Sequence, residues 1–506
     1  MTDDACYRAL ATRDPRFDGR MFVGVSTTGI YCRPICPART PKRENVRFFE
    51  KATAAQAAGF RPCLRCRPEA SPDLAAWRGT SNTVSRALAL IEAGGLDGDD
   101  MSGLAERLGV GERQLRRLFR QHLGASPVAV AQTRRVLLAK QLIHQTRLPM
   151  TEVALAAGFG SVRRFNETFQ ALYDRPPGDL RRQVGEAISA MDGDWIHLTL
   201  PYKPPYDWDG LIGFLAMRAI TGVETVTPAG YARTIAIGSD QGLLTVRPAA
   251  GNTLSVGLCF PSLVALPAII SRVRRVFDLA ADPLLIAEHL ARDPVLAPLV
   301  ARRPGLRVPG AWDGFELAVR AILGQQITVA AATALAGRLA REHGTPLAAP
   351  LNGMIPGLTH TFPSAAALAG VDLGVLPMPR ARSTALASMA GAVAADPLLF
   401  GPRRGLDEAI AALKALPGIG EWTAQYIAMR QLREPDAFPA ADVGLMRALR
   451  TPEGTRPNAP EMLRLAERWR PWRAYAALHL WTSLGDAAPP APILKTQGDP
   501  DVRLIA

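Results

Sequence analysis

The chain lacks a long uninterrupted apolar run and uses cysteine sparingly. It has six cysteines in 506 residues, and one glycine and two prolines interrupt its most apolar run, residues 254–270. That run is too short to span a membrane comfortably, so we expect a buried strand followed by a helix. The polar N-terminus, with Asp3 and Asp4, does not have the pattern of an export signal. We therefore expect a cytoplasmic protein with reduced cysteines, in which clustered thiols indicate a metal.

Acidic side chains are in the minority, and the imbalance is uneven. There are 59 Lys and Arg against 46 Asp and Glu, a net charge of +13. Residues 1–80 hold 14 basic and 8 acidic side chains, and residues 81–190 hold 15 and 11, which leaves only +3 for the remainder. This asymmetry favours a polyanionic partner at the N-terminal end, although a basic solvated face is the alternative. The length and the 48% hydrophobic content predict three to four folded domains.

Four cysteines form two close pairs. Cys32 and Cys36 are followed after 26 residues by Cys63 and Cys66, and no histidine precedes His122. Two pairs across a loop fit a tetrahedral zinc site made of thiolates. The alternatives are a purely structural zinc or four unrelated buried thiols.

The residues around these cysteines resemble a known family. Residues 27–39, 43–46 and 59–66 are similar to the N-terminal domain of the bacterial Ada methylation-response proteins. That resemblance implies one bound Zn²⁺ and the removal of methyl groups from DNA phosphotriesters. It makes Cys32 the methyl acceptor, with Cys36, Cys63 and Cys66 as the remaining zinc ligands. It also places Thr28, Arg39 and Arg61 against DNA. Methylation of one sulfur would change the formal charge of the centre from −2 to −1 and weaken its repulsion from the DNA backbone.

The segment after this domain contains one pattern twice. Residues 102–124 and 151–169 each predict a short helix, a turn and a second helix, and residues 134–143 predict a helix between them. The pair resembles the AraC-type DNA-binding domain, in which the second helix of each unit enters the major groove. An ordinary helical bundle with exposed arginines is the alternative. We expect these second helices, the reading helices, to start near Gly111 and Ser161. The side chains expected to face DNA are Arg113, Gln114, Arg117, Arg163, Arg164 and Asn166.

The C-terminal half carries a glycine turn and an isolated acid. Residues 416–424 read Leu-Pro-Gly-Ile-Gly-Glu-Trp-Thr-Ala, and Asp442 follows about twenty residues later. A turn of this kind lets backbone N–H groups of Gly418 and Gly420 approach a phosphate, but by itself the signal is weak. From the residues alone, Asp442 is open to a second interpretation as a helix N-cap or a surface carboxylate.

Together these features resemble the helix-hairpin-helix glycosylases, and most closely the AlkA branch of 3-methyladenine glycosylases. The likeness covers about residues 195–485, including a strand-rich α+β segment before the helices. It implies that Asp442 is catalytic and stabilises positive charge on the deoxyribose as the glycosidic bond breaks. Lyases of this family have a lysine where this chain has Trp422, so the resemblance implies a monofunctional enzyme. No cysteine follows Cys259, which excludes the iron–sulfur cluster of the endonuclease branch.

The resemblance also implies an aromatic pocket for a flipped, cationic base. Trp422, Tyr426 and Trp481 match its positions, with core packing as the rival explanation, and Trp422 and Tyr426 should share a helix face. Two positions depart from the family pattern. Gln326 stands where the best-known relative has an apolar wedge, although we still expect it to contact DNA, and Thr482 replaces an aromatic side chain.

These observations predict a multidomain protein, mainly α with α+β parts. The expected domains are a zinc domain (1–80), paired helix-turn-helix units (81–190), an AlkA-type α+β domain (191–305), a helix-hairpin-helix glycosylase domain (306–488) and a tail (489–506). The leading hypothesis is a bacterial DNA alkylation-repair protein and regulator. Its partners would be alkylated and promoter duplex DNA and RNA polymerase, with no membrane. The alternative is a methylation-sensing transcription factor with an inactive glycosylase half. Repair of O-alkylguanine is excluded, because the Pro-Cys-His-Arg motif is absent from the sequence.

Overall fold

The computed structural model describes residues 3–485, except 14–16, 18–20, 35, 37, 51, 64–65, 67–81, 98–99, 183–194, 376, 398, 402–405 and 451–453. The chain divides into two compact units. The first contains Met1–Lys203, Leu244–Arg274 and Leu279–Asp282, and the second contains Pro204–Leu243, Arg275–Asp278 and Pro283–Ala506. The predicted tail, residues 489–506, lies outside the described residues. Among the described helices, none combines the length and apolarity that crossing a membrane requires.

The first unit opens with a small sheet between two helices. Helix α1 (Asp3–Ala11) precedes strands β1 (Phe22–Val25), β2 (Ile30–Cys32) and β3 (Val46–Phe49), and α2 (Ala52–Ala57) precedes β4 (Arg61–Pro62). The strand order is β3-β1-β2-β4, antiparallel except for the β2–β4 pair. Because side chains alternate along a strand, Val23 packs with residues of α1, while Phe22 packs with Ala55 of α2.

Among the described residues 82–182, seven helices follow and confirm the paired pattern. They are α3 (Asn82–Glu92), α4 (Met101–Leu108), α5 (Glu112–Leu123), α6 (Pro127–Gln145), α7 (Met150–Ala156), α8 (Val162–Tyr173) and α9 (Pro177–Arg182). Gly109, at φ +66°, ends α4, and α5 begins directly after Gly111. Ser161 caps α8, because its side chain accepts a hydrogen bond of 3.2 Å from the backbone N of Arg164. Helices α5 and α8 therefore start where the sequence predicts. Helix α6 joins the two helix-turn-helix units.

The strand-rich segment also matches the prediction. It contains β5 (Ile196–Pro201), α10 (Trp208–Ala216), β6 (Glu224–Thr227), β7 (Gly230–Ile237), β8 (Asp240–Ala249), β9 (Thr253–Cys259) and α11 (Leu266–Val276). In the first unit β5 pairs antiparallel with β9, and in the second unit β6 pairs antiparallel with β7. The apolar run at 254–270 forms a strand followed by a helix, as expected.

The rest of the second unit is helical. Its helices are α12 (Pro283–Leu290), α13 (Ala297–Arg302), α14 (Gly314–Leu323), α15 (Val329–His343), α16 (Ala365–Leu368), α17 (Arg380–Ala395), α18 (Leu406–Lys414), α19 (Glu421–Arg430), α20 (Val443–Ala448), α21 (Ala459–Ala466) and α22 (Arg473–Gly485). Helix α14 is buried along almost its whole length and contacts α15, α17 and α19. The mainly α fold with α+β parts is therefore confirmed.

Candidate active site and metal centre

The sheet of the first unit brings the four paired cysteines together. Cys32 is the last residue of β2, Cys63 directly follows β4, and the Sγ atoms of Cys32, Cys36, Cys63 and Cys66 all lie within 4.8 Å of one another. Three of these cysteines are buried, whereas Cys32 is only partly buried. Cys32 is therefore the least buried residue of the cluster by its exposed surface.

The chemistry of this cluster fits Zn²⁺. A tetrahedral site with Zn–S bonds of about 2.3 Å separates its sulfurs by roughly 3.8 Å, which the cluster allows. Hydrogen bonds to the sulfurs of Cys36, Cys63 and Cys66, together with burial, raise the pKa of the Cys32 thiol. A bound divalent cation would offset this rise by stabilising the thiolates. The chain thus holds one zinc ion in a four-cysteine domain.

Two of the three side chains predicted to face DNA in this domain lie close together, and the third lies in a loop. Thr28 is exposed in the turn between β1 and β2, and Arg61 is half-buried on β4. The backbone N of Arg61 donates to the carbonyl of Gly29 at 2.8 Å, which brings that turn next to β4, and Thr28 and Arg61 line the same cleft. Arg39 is exposed in the loop after Cys36. Their contact with DNA stays a prediction.

The reading helices expose polar side chains and bury apolar ones. On α5 the buried residues are Leu115, Phe119 and Leu123, and on α8 they are Phe165, Phe169 and Tyr173. The polar side chains predicted to face DNA are all exposed: Arg113, Gln114 and Arg117 on α5, and Arg163, Arg164 and Asn166 on α8. The Arg163 guanidinium forms a 2.7 Å ion pair with Glu167 one turn later, so any phosphate must compete with that carboxylate.

In the second unit, the Asp442 carboxylate accepts hydrogen bonds from two indole N–H groups. Its Oδ2 accepts a hydrogen bond of 2.7 Å from Trp422 Nε1, and its Oδ1 accepts one of 2.9 Å from Trp481 Nε1. Oδ1 also accepts from the backbone N of Leu445 at 2.8 Å, so Asp442 is the N-cap of α20. The side chain is 8% exposed, which excludes a surface carboxylate. These three N–H donors hold the Asp442 carboxylate in one orientation.

The predicted aromatic pair forms a stack on α19. The rings of Trp422 and Tyr426 are 5.0 Å apart and 12° from parallel, and both residues are only partly buried. The prediction of a shared face is confirmed, and the role of the two rings as a pocket wall stays a prediction. Burial raises the pKa of Tyr426, but the Arg430 and Arg218 guanidinium groups outweigh this effect and lower that pKa.

Sequence reasoning missed the role of Arg430. Its Nη1 donates to the Tyr426 hydroxyl at 2.6 Å, while its Nε and Nη2 donate to the carbonyls of Pro309 and Gly310. The spacing of Trp422, Tyr426 and Arg430, each four residues apart, was the available signal, because such residues share a helix face. Arg430 holds the far end of the aromatic stack in place.

The glycine turn is a tight hairpin between α18 and α19. Gly418 has φ +81°, and a Cβ there would lie 2.4 Å from Ala385 Cβ, so only glycine fits. Gly420 is extended and caps α19. Gln325 Nε2 donates to the carbonyl of Gly418 at 2.8 Å, and the next residue, Gln326, is exposed at φ +59°. The hairpin and the loop that carries Gln326 are therefore tied together.

Fold and sites define a class: a DNA-binding protein with a four-cysteine zinc domain, paired helix-turn-helix units and a helix-hairpin-helix glycosylase site. Family models match in three places: the metal-binding domain of Ada at residues 5–69, a helix-turn-helix domain at 104–183 and the AlkA N-terminal domain at 197–313.

One relative extends this match to almost the whole chain. The chain is 42% identical over 489 residues to a probable bifunctional transcriptional activator/DNA repair enzyme AlkA of Mycobacterium tuberculosis, covering 96% of this chain and 97% of the relative. It therefore belongs to the AlkA family of bifunctional transcriptional activator/DNA repair proteins.

Two further relatives each match one part of the chain. A DNA-3-methyladenine glycosylase 2 of Escherichia coli is 38% identical over 57% of this chain and 97% of the relative. The bifunctional transcriptional activator/DNA repair enzyme Ada of the same species is 36% identical over 31% of this chain and 43% of the relative.

Proposed function

We propose that this chain combines two DNA alkylation-repair reactions with a transcriptional response. The first reaction moves a methyl group from a DNA phosphotriester to Cys32. The second releases alkylated purines of the 3-methyladenine type by hydrolysis. The observation that carries the second assignment is the Asp442 carboxylate held by the indole N–H groups of Trp422 and Trp481.

Methyl transfer uses Cys32, the one residue of the cluster that is only partly buried. Cys32, Cys36, Cys63 and Cys66 would hold the zinc ion, which would keep their sulfurs deprotonated, and a thiolate is the nucleophile. The Cys32 sulfur attacks the methyl carbon of the phosphotriester, and the carbon–oxygen bond breaks with its electron pair on oxygen. The products are a methyl thioether and an ordinary phosphodiester. No step regenerates the thiolate, so each chain acts once.

Base release uses the acid at the start of α20. The flipped alkylpurine carries a positive charge and leaves with the electron pair of the glycosidic bond, which neutralises it. The Asp442 carboxylate stabilises the positive charge that develops on the deoxyribose and assists water that attacks the sugar. Trp422, Tyr426 and Trp481 form the base pocket, in which aromatic faces attract a cationic base by about 0.5–2 kcal/mol. Trp422 offers no amine, so strand cleavage through a Schiff base does not follow.

The regulatory output depends on the first unit. Methylation of Cys32 lowers the negative charge of the zinc centre, which strengthens binding to promoter DNA. The helices α5 and α8 read the major groove of that DNA, and RNA polymerase is the partner that activation requires. The reduced thiols suit action in the bacterial cytoplasm.

The rival function is a methylation-sensing transcription factor whose glycosylase half only binds DNA. Incubating the purified chain with duplex DNA that contains 3-methyladenine separates the two functions. We expect the wild type and Asp407→Asn, a control at an exposed acid of α18, to release free base, whereas Asp442→Asn releases none. Wild-type protein that binds the duplex and releases no base would support the rival.

A further inference from the structure

The zinc domain contains a contact that the proposed reactions do not use. Lys140 lies on α6, the helix between the two helix-turn-helix units, and its side chain is completely buried. Its Nζ donates a hydrogen bond of 3.0 Å to the backbone carbonyl of Cys63. Cys63 is a zinc ligand, so an ammonium group from the DNA-binding helices directly contacts the metal-binding segment.

The surrounding packing makes this contact part of an interface. Helix α2 of the zinc domain contacts α6, and a Cβ on Gly124, just before α6, would lie 3.5 Å from Ala54 Cβ of α2. The zinc domain therefore packs on the helix that lies between the two helix-turn-helix units.

The charges on the two sides of this interface have opposite signs. Removing an ammonium group from water is unfavourable unless negative charge compensates for it. Four thiolates on Zn²⁺ carry a formal charge of −2, and methylation of Cys32 leaves −1. The attraction between the centre and Lys140 therefore roughly halves when Cys32 accepts a methyl group.

We propose that Lys140 is a positioning residue through which the charge of the zinc centre acts on the paired helix-turn-helix units. This proposal rests on the methyl transfer proposed above. In the unmethylated protein the charge of −2 holds α6 against the zinc domain in the observed arrangement. Methylation weakens that hold, and the two units then adjust to promoter DNA more easily. By linkage, DNA binding must favour the methylated centre to the same degree.

Variants that remove or keep a positive charge test the proposal in the full chain. Lys140→Met removes the charge and keeps the apolar stem, Lys140→Arg keeps the charge, and Lys42→Met removes the same charge from an exposed site. The probe is one duplex selected from a random pool for tight binding to the methylated wild type. For each protein, the ratio of the dissociation constants without and with Cys32 methylation is measured.

We expect Lys140→Met to lower this ratio by about fivefold or more, mainly because its unmethylated form binds more tightly. Lys140→Arg and Lys42→Met should keep most of the wild-type ratio. If the wild type accepts methyl groups and Lys140→Met retains the full ratio, the coupling is overturned and methyl transfer stands. A wild type that accepts no methyl group overturns both.

Hydrogen exchange in the wild type keeps the test decisive if Lys140→Met does not fold. Backbone amides of α6 around Lys140 should exchange faster after methylation of Cys32, and also after zinc removal with a chelator, while those of α22 stay unchanged. The zinc-removal arm does not depend on methyl transfer. Equal exchange of α6 in all states would overturn the role of Lys140.

Discussion

Asp442 is a helix N-cap, one of the two interpretations that the sequence leaves open, and its side chain also contacts two indoles. Its Oδ1 caps α20 through the backbone N of Leu445, and the same carboxylate accepts hydrogen bonds from two indoles. Capping fixes the backbone around the acid, and the indoles fix the direction of its oxygens. A local feature of helix geometry thereby holds the proposed catalytic group in one orientation.

Replacing Trp422 by Phe tests the indole contribution. The variant keeps a ring to stack on Tyr426 but loses the 2.7 Å hydrogen bond to Asp442. A hydrogen bond to a charged group contributes about 1.5–3 kcal/mol, so kcat for base release should fall by roughly 10- to 100-fold with little change in KM. Trp208→Phe, at a tryptophan that stacks on Phe277, is the control. Single-turnover kinetics measure both variants, and an unchanged kcat in Trp422→Phe would contradict this role.

His479 on α22 should make the second unit sensitive to acid. Burial lowers its pKa to about 4, and the unfolded chain has a value of about 6.5. Because the folded pKa is depressed, the stabilisation is complete above about pH 6.5 and is lost as pH falls towards 4. The loss should reach up to about 3 kcal/mol. Urea unfolding at several pH values should show a steeper decline for the wild type and His343→Gln than for His479→Gln. Parallel curves would refute the prediction.

Residues that lie within short motifs could be predicted, and residues that depend on long-range packing could not. The four cysteines, the hairpin glycines and Asp442 have diagnostic neighbours in the sequence. The contact between Lys140 and Cys63 joins residues 77 positions apart. No local pattern specifies which buried surface such a lysine will meet.

At the scale of elements, helix ends were more predictable than sheet pairing. Gly111 and Ser161 mark the starts of α5 and α8 because capping is a local interaction. The sheet of the zinc domain was not predicted, since its strands of two to four residues are too short to show alternation. Strand β2 ends at Cys32 and β4 ends directly before Cys63, so their parallel pairing brings two cysteines of the cluster together.

The hairpin between α18 and α19 should tolerate no side chain at Gly418. In Gly418→Ala the new methyl group would lie 2.4 Å from Ala385 Cβ at a φ of +81°, so we expect a loss of about 1–3 kcal/mol in stability. Gly420→Ala is the control and should lose less stability, because no atom lies within 4 Å of its added Cβ. Urea unfolding compares the two variants, and equal midpoints would contradict the steric argument.

At the scale of the whole molecule, the uneven charge agrees with the functions proposed for the two parts of the chain. Ten of the thirteen net positive charges belong to residues 1–190, which contain the zinc domain and the paired helix-turn-helix units. Such an excess suits proteins that hold DNA by its backbone. The remainder is almost balanced, as expected if the glycosylase half binds through a backbone hairpin and an aromatic pocket. The domain boundaries stay predictions.

The central claim is that one chain carries two separable repair reactions, and one incubation tests it directly. The purified protein is mixed with DNA that is methylated on both bases and phosphates, and free bases and methyl transfer to Cys32 are measured together. We expect Cys32→Ala to lose methyl transfer while it still releases bases, and Asp442→Asn to show the reverse. Base release by Asp442→Asn, or methyl transfer to Cys32→Ala, would contradict the account.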